Sequence, residues 1–138
     1  MIQRLFPFAV AALRKNLDLR YDRQRVLQSN IANAETPGFV AKDVQFEEVL
    51  RAAAHPTEQG PLRLTHPRHL PQAPPAVQDV RGRLVARPSG DVGRDLNTVS
   101  VDREMAHVTT NAMHYNASVD ILGRLLASIR RTIQEGRQ

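Results

Sequence analysis

Hydrophobic residues recur at helical spacing towards both ends of the chain and lose regular spacing between them. Steps of four and three from Phe6 run through Val10, Leu13, Leu17, Arg20, Gln24, Leu27, Ile31 and Ala34, with seven of the nine positions apolar. That periodicity predicts an amphipathic helix over residues 6–34. Its polar break at Arg20 and Gln24 either sets register against a partner or marks where the partner diverges, the latter being the commoner meaning. At the other end the same steps take in Val101, Met105, Val108, Ala112, Tyr115, Val119, Leu122, Leu126, Ile129 and Ile133. All ten are apolar, so a continuous seam is expected along one helix, from about Val101 to Ile133. Such a helix is about 50 Å long. Ser100 or Asp102 suits its start, and Arg130, Arg131 and Arg137 suit its negative end. Gly123 costs about 1 kcal/mol against Ala in a helix and hints at a close helix approach.

Between the two stripes the pattern changes. Pro37 disfavours helix at Thr36, so the first helix should stop near Ala34. Pro37 and Gly38 suit the central positions of a type II turn. Residues 39–46 then read as extended and residues 46–54 as a short helix. Residues 55–97 hold seven of the nine prolines and four of the seven glycines, an irregular region with short strands expected around Leu62–Leu64 and Arg83–Ala86. The expected fold is mainly α and forms one structural domain. Residues 1–36 are the first helix, 37–97 the turn, extended segment and loops, and 98–138 the last helix. Neither stripe has anything inside its own helix to bury it. The economical solution pairs them face to face as an antiparallel or parallel coiled coil, with Ile121 and Leu125 left beside the seam for neighbours.

Composition sharpens this picture. Among 138 residues there are four Phe, two Tyr and no Trp, so a large self-sufficient core is hard to build. There is no Cys, which excludes disulfides, Cys-based zinc sites and thiol catalysis. The formal charge of +5 comes mostly from residues 1–34, with six Lys or Arg against two Asp. A basic helix can meet nucleic acid, anionic lipid or an acidic protein surface, although a solvated or acid-paired face is the commoner meaning. No apolar run reaches the ~20 residues of a membrane span. The run Leu5–Leu13 is interrupted by Pro7 and precedes its basic residues Arg14 and Lys15, the reverse of a cleavable secretory signal.

No catalytic arrangement stands out, and no cofactor, metal or small-molecule substrate is expected: there is no phosphate-binding glycine loop, nucleophile elbow or HExxH. His66 and His69 sit close together, but no neighbouring Cys or acid completes a ligand set. His107 and His114 lie about 10.5 Å apart along one helix, too far to share an ion. Glu47 and Glu48 are adjacent and so do not share a helix face. Asp18 and Asp22 interleave with the basic residues of the first helix and weaken a nucleic-acid reading.

One run carries a specific signal. Ser29-Asn30-Ile31-Ala32-Asn33-Ala34-Glu35-Thr36-Pro37-Gly38-Phe39 resembles the motif near the N-terminus of the bacterial flagellar rod and hook axial proteins. The flanks Tyr21 to Leu27 and Ala41 to Phe46 are similar to the proximal-rod branch of that family, as are Asn97 to Val99, Val101 to Met105 and Asn111 to Ala117. The likeness covers roughly residues 13–50 and 95–133, with a weaker match at 65–70. It implies a non-enzymatic structural subunit of the hollow drive shaft that transmits motor torque and conducts exported subunits. It further implies export by the flagellar type III apparatus without signal cleavage, and residence in the periplasmic basal body. The implied partners are further copies, other rod proteins, the hook–basal body protein FliE, the MS ring and the export gate. Ser29, Asn30, Ile31, Ala32, Asn33, Ala34, Thr36, Pro37, Gly38 and Phe39 would be structural. Leu13, Leu17, Leu27 and the ten seam residues of the last helix would carry assembly. A sibling axial protein, a basic helical nucleic-acid binder and a free-standing coiled-coil adaptor are the competing readings.

Overall fold

The computed structural model describes residues 2–55, 75–87 and 97–136, with side chains from residue 7 onward. The strand expected around Leu62–Leu64 and the pair His66 and His69 lie outside the described residues. Helix α1 spans Ile2–Ala32 and carries Pro7 inside it, where one backbone donor is lost near the start. The chain leaves α1 through the expected turn. The Phe39 N–H donates to the Thr36 carbonyl at 3.2 Å, and Gly38 holds φ at +71°, the left-handed value a type II turn requires of its third residue.

Strand β1 (Lys42–Gln45) follows, then α2 (Glu47–Ala54), a 3₁₀ turn at Val77–Asp79 and strand β2 (Arg83–Ala86). The two strands pair antiparallel, with Lys42 opposite Ala86 and Gln45 opposite Arg83. The extended segment, the short helix and the strand at 83–86 thus stand where the sequence places them. Glu47 and Glu48 occupy the first turn of α2, where carboxylates complement the helix dipole. Helix α3 runs from Val101 to Glu135. Ser100 stands at its N-cap position but makes no side-chain cap bond; its carbonyl accepts the Glu104 N–H at 2.9 Å.

Two packed regions share α1. Leu19, with Ala12 and Val26 seven residues to either side, meets Val44, Phe46, Leu50, Ala53, Val77 and Val80 in a small core. Gly82 closes it, because a Cβ there would run into Val44 Cγ1 and touch Leu19 Cδ2. Most of these core residues are small, as the scarcity of aromatics requires. The more extensive packing joins α1 to α3. Asn16 bonds Ser118, Arg20 bonds Asn111 and Asn30 bonds Glu104, so numbering rises along one helix as it falls along the other. The terminal helices form an antiparallel pair.

Candidate assembly interface

The pairing line of α3 differs from the apolar seam by one residue in alternate steps. Val108, Tyr115, Leu122 and Ile129 belong to both lines. Between them the chain buries Glu104, Asn111 and Ser118 and half-buries Leu125, in place of Met105, Val119 and Leu126, while Ala112 stays half-buried. The displaced seam lies open: Met105 is 52% exposed, Val119 43% and Leu126 50%, with Val101 and Ile133 exposed as well. On α1 the expected stripe does turn inward, with Leu27 fully buried and Val10, Leu13, Leu17 and Ile31 half-buried. Face-to-face matching of the two stripes is therefore corrected: the stripe of α1 meets a line of α3 punctuated by polar residues. Leu125, expected to face neighbours, is half-buried, and Ile121 is exposed. Gly123 marks no close approach among the described residues, since a Cβ there meets nothing within 4 Å.

Hydrogen bonds explain the displacement. Asn16 Nδ2 donates to Ser118 Oγ at 2.8 Å, and that hydroxyl donates to the His114 carbonyl at 2.8 Å. Asn111 Nδ2 donates to the Arg20 carbonyl and to Gln24 Oε1, both at 2.9 Å, while Arg20 Nη1 donates to Asn111 Oδ1 at 3.5 Å. The polar break in α1 is thus answered by a polar residue of α3 and sets register, the rarer of its two expected meanings. Glu104, Asn111 and Ser118 are spaced by seven, so all three fall on one helix face. Buried polar groups cost free energy unless paired, and that requirement rotates α3 until its polar line meets α1.

The family-like run Ser29 to Phe39 forms the other end of this interface. Asn30 is 1% exposed. Its Oδ1 accepts the Lys42 N–H at 3.0 Å, and its Nδ2 donates to the Lys42 carbonyl at 2.7 Å and to Glu104 Oε2 at 2.9 Å. The other oxygen of Glu104 meets Arg87 Nη2 at 2.5 Å. One asparagine and one carboxylate therefore tie α1, β1, the residue after β2 and the first turn of α3. Asn33 donates to the Ser29 carbonyl at 2.8 Å and accepts the Thr36 hydroxyl. Just past the end of α1 the Asn97 amide donates to the Ala34 and Thr36 carbonyls and lies 3.5 Å from that of Asn33, which fastens the turn to the residues before α3. Thr98 flanks it, its N–H donating to the Phe39 carbonyl and its hydroxyl accepting the Ala41 N–H. Ile31 and Ala34 are half-buried; Ser29, Ala32, Pro37 and Gly38 are exposed.

The basic face of α1 is partly used internally. Arg23 forks onto both oxygens of Asp43 at 2.8 and 2.9 Å and reaches Glu47 at 2.8 Å. Burial alone would push its guanidinium down, but the Asp43 bond and the charges of Asp43 and Glu47 outweigh that and hold it above its ordinary value. Arg20 stands over the Phe46 ring, 5.6 Å from its centre, and burial pushes its pKa down. Two of the cations that favoured nucleic acid thus serve the fold. His107 is half-buried and His114 exposed. Among the described residues, no three His, Asp or Glu side chains converge as a metal site and no helix is long and apolar enough to cross a membrane.

Apolar periodicity does not mark Asn16, Glu104, Asn111 and Ser118, because all four are polar. Their signal was the seven-residue spacing of Glu104, Asn111 and Ser118, answered on α1 by Asn30, by Arg20 and Gln24, and by Asn16. Asn97 fell within a stretch of family likeness that named no role for it, and Arg87 carried no local signal beyond its place in the Pro- and Gly-rich stretch.

No family model matches the chain. The chain is similar to flagellar basal body rod protein FlgB of Yersinia enterocolitica, at 37% identity over 87% of this chain and 89% of that protein. It is 36% identical to the Salmonella typhimurium protein of the same name and 33% identical to that of Escherichia coli K12, each over 91% of this chain and 95% of the relative.

Proposed function

Because the chain belongs to the family of the flagellar basal body rod protein FlgB, we propose that it is a structural subunit of the basal-body rod whose exposed apolar seam is the assembly surface. The observation that carries this reading is the division of labour on α3. A polar line fastens the helix to α1, while apolar side chains spaced over about 50 Å of α3 remain exposed. Exposed apolar side chains repeated over that length mark an interaction site on a protein whose own core is small. Val101, Met105, Val119, Leu126 and Ile133 carry it, with Val108, Ala112, Tyr115, Leu122 and Ile129 along its inner border. Leu13, Leu17 and Leu27 back it from α1.

In this account the protein is no enzyme. Long helices packed lengthwise resist bending and twisting, and repeated contacts between subunits sum to a stiff hollow shaft that transmits torque and lets exported subunits pass. Its partners are further copies, other rod proteins, FliE, the MS ring and the export gate. It reaches the periplasm through the flagellar type III apparatus without signal cleavage. The residues from Ser29 to Phe39 are structural: they end α1, turn the chain and seat Asn30 against β1 and α3.

Disruption of the gene tests the reading. Loss of motility, with basal bodies lacking a rod in electron micrographs and restoration by the intact gene, is expected. Normal swimming and complete rods in the disrupted strain would contradict it.

A further inference from the structure

Resting on that reading, we infer that copies of this chain meet head to tail, the Met113–Ile121 face of one α3 docking into the Arg20–Tyr115 groove of the next. The groove, about 310 Å³, lies between α1 and α3 and is lined by Arg20, Tyr21, Gln24, Asn111, Tyr115 and Asn116. Arg20 is a half-buried cation there without a carboxylate of its own. Among the described residues its only polar bond is the long one to Asn111, its Nε is buried and unbonded, and Asp43 and Glu47 are held by Arg23. A half-buried guanidinium in this setting gains most from an incoming carboxylate, and the rings of Tyr21 and Tyr115 beside it offer apolar surface to the helix that carries the carboxylate.

The chain itself presents such a face. Met113, Ala117, Asp120 and Ile121 stand at i, i+4, i+7 and i+8 on the side of α3 turned away from α1, all exposed, with Met113 at 67% and Ile121 at 54%. Asp120 has no ion-pair or hydrogen-bond partner among the described residues. Groove and face are different surfaces of one molecule, so their contact is heterologous. Heterologous contacts propagate into rings or filaments, whereas isologous ones stop at a dimer.

The absence of native cysteine allows a direct test. Tyr21 lies level with Asn111, which bonds Arg20 and Gln24, so a disulfide from position 21 to position 121 must join two copies. A Tyr21→Cys, Ile121→Cys chain expressed in the disrupted strain is expected to give covalent dimers and higher multimers when purified basal bodies are oxidised. Asp120→Arg, at an exposed site, is expected to abolish swimming without altering the circular dichroism of the isolated chain. A double-cysteine chain present in basal bodies but not cross-linked, or wild-type swimming by Asp120→Arg, overturns the head-to-tail contact alone. Absence of the wild-type chain from basal bodies overturns the rod reading and this inference with it.

Discussion

Asn30 makes three hydrogen bonds from a side chain almost sealed from water, and two of them copy a β-bridge by engaging both backbone groups of Lys42. Replacing it with Ala strands the Lys42 amide and one oxygen of Glu104. Glu104→Ala removes the shared acceptor of Asn30 and Arg87 and leaves one buried Asn30 N–H unpaired, whereas Arg87, 29% exposed, keeps access to water. Each Ala variant is expected to lose about 1.5–3 kcal/mol of stability, the range for hydrogen bonds to charged groups. Glu104→Gln keeps one acceptor oxygen and should lose roughly half as much. Urea unfolding followed by circular dichroism measures all three; equal losses for Gln and Ala would show that the charge, not the acceptor, matters at this site.

At the scale of elements, both long helices, the turn between α1 and β1, α2 and both described strands were legible from periodicity and from Pro37 and Gly38. Gly38→Ala puts a Cβ on a residue with φ of +71° and should cost about 1 kcal/mol, although open space surrounds it. Gly82→Ala acts through space instead, forcing Val44 and Leu19 to shift, at about 1–3 kcal/mol. Thermal melts of the two variants check these values. What the sequence concealed was which face of α3 turns inward. Apolar periodicity marked the richer stripe and assigned it to the intramolecular pair, as a soluble coiled coil would. Here the determinants were Glu104, Asn111 and Ser118, whose partners at Asn30, Arg20, Gln24 and Asn16 lie about 70–100 residues away in sequence. A polar residue at a core heptad position fixes register at some expense of stability, and its partner appears only once the chain is folded.

For the whole molecule, the proposed rod role separates folding from assembly. Polar pairs join α1 to α3, and in that proposal the exposed apolar side chains of α3 meet other helices. Val119→Asp and Leu126→Asp, both at exposed positions, should therefore leave the isolated chain as helical as before and block its incorporation into rods, read by electron microscopy of basal bodies from the complemented strain. Intact rods with both variants would remove the stripe from the account. Cysteine accessibility puts the division itself to the most direct test. Leu126→Cys and Ser118→Cys chains are exposed to a maleimide, first as isolated protein and then within purified basal bodies. The predicted result is rapid labelling of Leu126→Cys in the isolated chain, protection of the same site in basal bodies, and slow labelling of Ser118→Cys in both. Protection of Leu126→Cys in the isolated chain, or equal labelling in both states, would contradict a stripe held open for neighbouring subunits.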